Sequence, residues 1–486
     1  MAISNPGGLL NSVPNARQQA TVSNYLDLAS DAGKGWAQQY VPDLMEKEAE
    51  VFGPRTISGF LEQVGAEEAM TADQVVWSEQ GRLHLSYTGS MTSGNIFTAT
   101  KDIDCNSDNI ATHGVRLNDT VLISNANGIF KAIVSSVTDA AITVAPYDGV
   151  DIASLTTADA TTLLVYGSEY AKGVGYNAAD VALVSSRNSN EPQFNSFTNK
   201  PIIMKDYYEI SGSDASRIGW VEISSEGGAS GYLWYLKAEA DTRARFNDYV
   251  EMSMLESVKG SGTNAVDTLL GVDGNDTKVG TEGLFAAIES RGNITSGISG
   301  VNAATDLAEF DAILAEFDKQ GAIEEYMLFV NRASSLAIDD MLASMNSYGA
   351  GGTSYGVFNN DEDMALNLGF SGFRRGSYDF YKSDFRYLND KATRGSINDA
   401  NAANAIRGVL IPAGTSSVYD QQVGASMKKP FLHVRYRASQ TDDRRMKTWV
   451  TGSVGAVTSA LDAMQLHMLT ERCLITQGAN NFMLMK

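Results

Sequence analysis

The chain has 486 residues and a formal net charge of -21 at pH 7, with 58 Asp and Glu against 37 Lys and Arg. Neutralising DNA phosphates takes clustered basic side chains, so this balance disfavours a sequence-specific reader of nucleic acid. No apolar run approaches the ~20 residues that span a bilayer, and the two cysteines exclude a disulfide framework.

The sequence of residues 1–72 predicts an extended arm. Its apolar residues are too sparse to form a core of their own. One short helix is predicted over 54–64, where Ile57, Phe60, Leu61 and Val64 recur at helical spacing. The start of the chain lacks a basic leader followed by an apolar stretch, so no secretory export is expected.

The next segments are rich in β-branched and aromatic residues and predict strands over 74–87 and 193–210. Between them, a block rich in Thr, Val and Ala predicts a small β-barrel or β-sandwich inserted into a long hairpin. Its strands are predicted at 115–124, 128–137, 141–145 and 163–166, with turns at Asn127-Gly128 and Thr138-Asp139.

A long helix is predicted over residues 231–257, which corresponds to about 40 Å at the rise of an α-helix. One stripe of residues, opposite the charged positions, predicts packing on a sheet along one face. The stripe consists of Ala238, Thr242, Phe246, Tyr249, Val250 and Ser253.

The remaining chain predicts a helix over 305–317, a buried strand over 326–330 and a helix through Ile338, Met341, Leu342 and Met345. Further strands are predicted at 378–387, 408–412, 431–437 and 447–454.

Few residues of the sequence are arranged in a pattern typical of catalysis. His84, His113, His433 and His467 show no metal-ligand spacing, and we interpret each as structural. The segment 228–231 is interpreted as a turn, not a nucleophile elbow, and 259–263 as a helix end, not a phosphate loop.

Two acidic segments are candidates for a cation site. Asp273 to Thr277 begins like a calcium loop but has Lys278 where glycine is needed and Leu284 where glutamate belongs. Residues 361–363 are more simply interpreted as a solvated acidic loop. No catalytic residue, cofactor or metal is predicted, and the chain is not expected to be an enzyme.

The order of elements resembles the major capsid proteins of tailed phages with the Hong Kong 97-type fold. The resemblance rests on the long helix, on the turn Gly280-Thr281-Glu282-Gly283-Leu284-Phe285 after it, and on the helix, strand, helix pattern over 310–341 with Asn331-Arg332 at the strand end. It covers nearly the whole chain, and the inserted β-rich block departs from the minimal family plan.

The resemblance implies an α+β fold with an N-terminal arm, extended loop, spine helix, peripheral and axial domains, and a β-rich insertion domain. The boundaries are the arm at 1–72, the extended loop at 73–94 and 171–212, the insertion at 95–170, the peripheral domain at 213–300 and 355–400 with its spine helix at 231–257, and the axial domain with C-terminal strands at 301–354 and 401–486.

The implied function is self-assembly into the hexamers and pentamers of an icosahedral head that encloses double-stranded DNA, bound non-specifically. Implied partners are other copies of the chain and portal, scaffolding or decoration proteins, with no membrane partner. The resemblance also implies a location in the virion, after assembly in the host cytoplasm. Many relatives carry a scaffolding segment that a protease removes, and none is expected here. Two alternatives are an encapsulin-like nanocompartment shell and a β-rich polysaccharide-active enzyme.

One basic patch stands out in the acidic chain, over residues 428–447. Arginine forms bidentate contacts with carboxylates, so pairing with acidic surfaces of adjacent subunits is favoured over nucleic-acid binding. The candidate inter-subunit contacts are Glu79, Arg82, Arg374, Arg375, Arg435, Arg437, Arg444 and Arg445.

Overall fold

The structure is a computed structural model with a mixed α+β fold. It divides into two compact units, residues 77–197 and residues 1–76 with 198–486. It describes residues 66–80, 86–92, 94–102, 113–138, 140–149, 161–172, 194–213, 215, 223–224, 230–231, 233–260, 280–320, 323–345, 372–413, 415–419, 426–455 and 457–486. The predicted helix at 54–64, Arg82, His84 and the acidic segments near 273 and 361 lie outside these residues.

The helices are α1 (Leu233–Glu256), α2 (Leu284–Arg291), α3 (Ala303–Gln320), α4 (Arg332–Met345), α5 (Arg386–Asn389) and α6 (Arg394–Ala400). In the described part of the chain, every helix is too short or too polar to cross a bilayer. Short 3-10 turns lie at Ala402–Asn404 and Ala479–Asn481.

The strands of the first half are β1 (Ala66–Met70), β2 (Val75–Gln80), β3 (Ser86–Thr92), β4 (Ile96–Asp102), β5 (Asp119–Asn125), β6 (Gly128–Thr138), β7 (Ala141–Pro146), β8 (Thr161–Ser168), β9 (Phe194–Asn199), β10 (Ile202–Ser211), β11 (Ile223–Ser224) and β12 (Ser230–Gly231).

The strands of the second half are β13 (Asn293–Thr295), β14 (Glu325–Val330), β15 (Gly372–Arg375), β16 (Tyr378–Asp384), β17 (Gly408–Pro412), β18 (Thr415–Tyr419), β19 (Ser426–Pro430), β20 (Leu432–Arg437), β21 (Lys447–Gly452), β22 (Ala463–Thr476) and β23 (Met483–Met485).

The smaller unit contains a closed barrel with strand order β3-β4-β7-β6-β5-β8. Alternate residues point inward, so that Phe97, Ile123, Ile142 and Leu163 are fully buried in one core. Of the two predicted alternatives, the barrel is the one observed. Strand β3 closes the barrel because it pairs with both β4 and β8, and its Tyr87 joins the core. The boundary of the inserted block at 95 stays a prediction.

The long helix observed as α1 ends one residue before the predicted limit and packs on a sheet, as the stripe predicts. Phe246 and Val250 form a buried cluster with Met468, and Met204 packs against it. Tyr249, also in the predicted stripe, is 47% exposed and lines a cavity beside β10.

The sheet under α1 has the order β1-β20-β22-β10, with β21 also paired to β22. The 14-residue β22 is its centre: β10 lies antiparallel along one side, and β20 and β21 share the other. The strand predictions at 431–437 and 447–454 are confirmed within a few residues.

A second large sheet has six strands in the order β13-β23-β17-β14-β16-β15. Both faces are buried: Tyr326, Leu328 and Val330 belong to the core with α3 and α4, while Phe329 belongs to the core with α2. The predicted helix, strand, helix order is confirmed by α3, β14 and α4.

The predicted division of domains stays a prediction, and the sheets group the strands in the following way. The prediction joins residues 355–400 to the long helix, but β15 and β16 extend the six-stranded sheet through β14. It groups residues 401–486 as axial domain and C-terminal strands, and of these β20, β21 and β22 lie in the sheet under α1. Strand pairing between distant segments decides both cases, and local residue patterns do not encode it.

The glycine turn after α1 brings the chain close to the end of that helix. A Cβ atom at Gly283 would lie 2.9 Å from the carbonyl oxygens of Met254 and Leu255, so a glycine permits this approach. The Asn199 amide group fixes the turn: its oxygen accepts the Glu282 N–H at 2.9 Å, and its nitrogen donates to the Leu474 carbonyl at 2.7 Å.

Candidate assembly surfaces

The basic patch predicted from the sequence forms an ion-pair network on the five-stranded sheet. On one face, Arg435 Nη2 lies 2.6 Å from Glu68 Oε2 on the neighbouring β1. Arg437 and Arg444 both contact Glu471, at 2.9 Å and 2.6 Å. A single carboxylate therefore separates two guanidinium groups.

The other face of the same strands carries a second part of the network. Glu67 of β1 contacts Arg445 and, at 3.4 Å, Arg472. Arg472 also donates to Thr470 Oγ1 at 2.8 Å and to the Arg445 carbonyl at 2.7 Å. Burial lowers the pKa of the Arg472 guanidinium, and the charges of Glu67 and Glu251 oppose this shift.

Four of the predicted contact residues therefore have carboxylate partners in their own chain: Arg435, Arg437, Arg444 and Arg445. The prediction was of pairing with acidic surfaces of adjacent subunits, whereas the carboxylates observed here belong to the same chain. Their contact with a neighbouring subunit stays a prediction. Sequence reasoning missed Arg472, since it lies in the unpredicted strand β22.

The other candidates also have contacts within the chain. Arg375 Nη2 lies 2.7 Å from Asp311 Oδ2 on α3, and hydrogen bonding to this carboxylate raises the pKa of the Arg375 guanidinium. Arg374 Nε is 3.6 Å from Asp379 on the paired strand. Glu79 accepts a hydrogen bond from Trp77 Nε1 at 2.9 Å.

A row of three rings crosses the sheet face opposite α1. The register aligns Tyr207, His467 and Trp449 on adjacent strands, with ring centroids 6.1 Å and 5.2 Å apart. Tyr207 is 57% exposed and Trp449 is 36% exposed. Aromatic side chains are enriched at the cores of protein interfaces.

The face of this row follows from strand alternation. Met204, Asp206 and Tyr208 share one side of β10, and Asp206 contacts Arg245 of α1 at 3.3 Å, so Tyr207 points away from the helix. Trp449 was part of a predicted strand. The row itself required β22, whose apolar stretch around Leu466 to Leu469 is the signal that could have identified a central strand.

A cavity of about 490 Å³ lies between α1 and β10. Its lining contains an ion pair, Asp206 with Arg245, and no histidine, serine or cysteine is among the described residues that line it. The lining residues are Met204, Lys205, Asp206, Arg245, Phe246 and Tyr249. Across the described residues, no cluster of three metal-ligating side chains is present.

Comparison with protein-family profiles gives no match, and no curated protein is significantly similar in sequence. Among solved structures, the chain is similar to Microbacterium phage Oxtober96, with 8% identity and a TM-score of 0.36, over 94% of this chain and 98% of that one. The capsid of a native GTA particle gives 11% identity and a TM-score of 0.36 over the same shares of the two chains. The capsid structure of the cyanophage P-SCSP1u gives 8% identity and a TM-score of 0.35, over 66% of this chain and 80% of that one.

Proposed function

We propose that the chain is a major capsid protein that assembles into the hexamers and pentamers of an icosahedral head enclosing double-stranded DNA. The observation that carries the proposal is the exposed ring row on the sheet under α1. A sheet backed by a long helix on one face and bearing Tyr207 and Trp449 on the other is suited to receive another protein surface.

The element order supports the same proposal. The resemblance implies a spine helix followed by a glycine turn and a helix, strand, helix lobe, and α1, α2, α3, β14 and α4 follow in that order. On this proposal, the sheet with α1 is the peripheral domain, the six-stranded sheet is the axial domain, and the barrel is the insertion domain.

The acidic charge is compatible with enclosing DNA. A net charge of -21 gives little attraction for phosphate, so the polymer can slide while contacts between protein subunits supply strength. Many modest contacts then add up over a closed shell.

The experiment is negative-stain microscopy with mass photometry of the purified chain across salt and protein concentration. We expect capsomers, tubes or closed shells for the unmodified chain, and loss of these species when Tyr207→Ser and Trp449→Ser are combined. Val301→Ser is the control, because Val301 is 72% exposed and lies in the connection between β13 and α3, outside the five-stranded sheet.

A chain that stays monomeric in every condition, including co-expression with the proteins encoded beside it, would contradict the proposal. Shells that hold nuclease-protected double-stranded DNA would identify a head. Shells that hold a protein cargo would identify a nanocompartment.

A further inference from the structure

His467 is the central residue of the ring row, and an aromatic ring stacks on each side of its imidazole. Tyr207 stacks on it from β10 with an interplanar angle of 28°, and Trp449 stacks on it from β21 with an angle of 19°. Histidine is the side chain type that ordinarily changes charge between pH 5 and 8. The row can therefore exist in a neutral form and in a positively charged form.

A chain of hydrogen bonds leads from this imidazole to a carboxylate. His467 Nε2 lies 2.7 Å from Thr451 Oγ1, and Thr451 Oγ1 lies 3.3 Å from Gln465 Oε1. Gln465 Nε2 in turn lies 2.6 Å from Glu209 Oε2. The register explains the arrangement, because Thr451 and Glu209 lie opposite Gln465 on the two strands beside β22. All four side chains share the sheet face that carries the ring row.

The carboxylate at the end of this chain sets the direction of each hydrogen bond. An ionised carboxylate can only accept, so the Gln465 amide nitrogen donates to Glu209 and the amide oxygen faces Thr451. The single hydroxyl proton of Thr451 is donated to that oxygen, so Thr451 Oγ1 accepts from His467 Nε2. Nε2 therefore carries a proton, and the other ring nitrogen, Nδ1, is the atom at which the imidazole gains its charge.

The charged residues that share this face of β10, β21 and β22 lie in other rows of the sheet. They are Lys205, Glu209, Lys447 and Glu471. Lys447 contacts Asp442 at 2.6 Å, and Glu471 contacts two arginines. Within the described part of the chain, His467 itself forms no salt bridge. A positive charge on its ring is therefore stabilised mainly by water and by the neighbouring rings.

A partner surface on the ring row would remove that water. Tyr207 and Trp449 are partly exposed, and His467 between them is half-buried. The attraction between a cation and the two ring faces persists in a covered row, but it is smaller than the cost of taking an unpaired charge out of water. A neutral imidazole is covered at much lower cost. The uncovered row thus binds the proton more tightly than the covered row does.

We propose that His467 makes the contact at the ring row dependent on pH: the neutral imidazole lets a second copy of the chain cover the row, and a proton added at Nδ1 releases that copy. This inference rests on the proposed function, in which copies of the chain assemble through the ring row. Because the covered row disfavours the proton, association is strongest where the imidazole is neutral and is lost as the pH falls.

The first test measures assembly by mass photometry at pH 5.5, 6.5, 7.5 and 8.5 for the unmodified chain and for His467→Phe. Phenylalanine retains a stacking ring but takes up no proton. We expect association of the unmodified chain to weaken by about tenfold or more between pH 7.5 and pH 5.5, and that of His467→Phe to change by less than about twofold. His113→Gln, in the smaller unit, is the control and should behave like the unmodified chain.

An equal loss of assembly in the unmodified chain and in His467→Phe overturns the proposal, as does assembly of the unmodified chain that is independent of pH. Both outcomes leave the proposed function standing, since shells still form. An unmodified chain that fails to assemble at every pH overturns the proposed function and this inference together.

A second measurement needs no variant that assembles. Nitrogen-15 NMR of histidine-labelled chain follows His467 in the dispersed state and in shells, with the signal assigned by its absence from His467→Phe. We expect a neutral ring that is protonated at Nε2, and a titration midpoint that is lower in shells than in the dispersed chain by about one pH unit or more. A ring protonated at Nδ1, or equal midpoints in the two states, overturns the proposal.

Discussion

Arg444 Nε lies 2.6 Å from one carboxylate oxygen of Glu471, and the other oxygen of that carboxylate receives Arg437 at 2.9 Å. The Glu471 side chain is 9% exposed, while both arginines keep more than a quarter of their surface. The carboxylate is therefore the shielded member that holds two like charges together, and its loss affects both.

Replacing Glu471 with Gln should lower the free energy of unfolding by about 2 kcal/mol, because two charge-assisted contacts are lost and Arg437 and Arg444 then repel each other. Urea denaturation followed by circular dichroism measures this. Glu316→Gln is the control: Glu316 pairs with Lys319 at 2.7 Å, but both side chains are more than half exposed, so the change should be within about 0.5 kcal/mol. Equal effects of the two substitutions would contradict the assignment.

The aromatic core between α3 and the six-stranded sheet predicts a larger effect. Phe310 is fully buried, with ring centroids 5.5 Å from Phe373 and 5.0 Å from Phe380. Phe310→Ala should cost about 3–5 kcal/mol, since it leaves a cavity and removes both ring contacts. Leu336→Ala on α4 is the control, since Leu336 is 54% exposed, and in the same urea denaturation it should change stability by less than about 0.5 kcal/mol.

The local residue pattern predicted individual helices and strands better than it predicted which strands pair with each other. The amphipathic spacing in 305–317 and the run at 326–330 carry their own structure, and α3 and β14 match them. Strand β23, from Met483 to Met485, forms because β17 and β13 pair with it on either side. A run of three residues is too short for its sequence to predict a strand. The strand order of the six-stranded sheet was not predicted either, because the sheet joins segments that are spread from residue 293 to residue 485.

For the candidate contact residues, too, the sequence predicted the residues themselves but not their partners. The sequence identified the basic patch, because seven basic residues among twenty consecutive positions can be recognised without knowing the fold. It did not identify the carboxylates that neutralise it, since Glu67 and Glu68 are nearly 370 positions away from Arg435 and Arg437 and meet this region through the β1–β20 ladder. The ring row could not be predicted either, because its three residues meet only through the register of three strands.

Gly452 is predicted to be intolerant of a side chain. Its φ angle is +134°, and a Cβ atom there would overlap the carbonyl oxygen of Ala463 on the paired strand. Gly452→Ala should lower the free energy of unfolding by more than about 2 kcal/mol, because backbone strain adds to a steric clash.

Gly455→Ala is the matched control for this glycine. Gly455 also has a positive φ angle, +83°, but a methyl group there would meet no atom of the described residues within 4 Å, so the cost should stay near about 1 kcal/mol. Thermal unfolding of both variants separates the clash from the strain. A Gly452→Ala variant as stable as Gly455→Ala would show that β21 can shift.

Cys473 predicts a loss of stability at high pH. Burial raises the pKa of its thiol to about 12, with a smaller opposing effect of Arg435. In the unfolded chain the thiol ionises above about pH 8.5. The neutral thiol is therefore favoured in the folded state, and the free energy of unfolding falls as the pH rises from about 8.5 towards 12, by up to about 1.4 kcal/mol per pH unit.

Urea denaturation at pH 7.5, 9.5 and 10.5 tests this for the unmodified chain and for Cys473→Ala. The variant loses a buried sulfur, so it should be less stable at pH 7.5, but its stability should fall less steeply with pH. Parallel curves would contradict the thiol's role. As a second check, iodoacetamide with peptide mapping should leave Cys473 unmodified until the chain unfolds.

Residues 77–197 should fold as an isolated fragment. The barrel closes on itself and its six strands are all paired on both sides, and its core draws Tyr87, Phe97, Val121, Ile142 and Leu163 from five different strands. We expect a cooperative thermal transition and a dispersed amide spectrum for the fragment alone. Ile123→Ser should abolish both, because Ile123 is fully buried, whereas Ile129→Ser should preserve them, because Ile129 is 68% exposed. A fragment without a cooperative transition would show that the barrel depends on the rest of the chain for its stability.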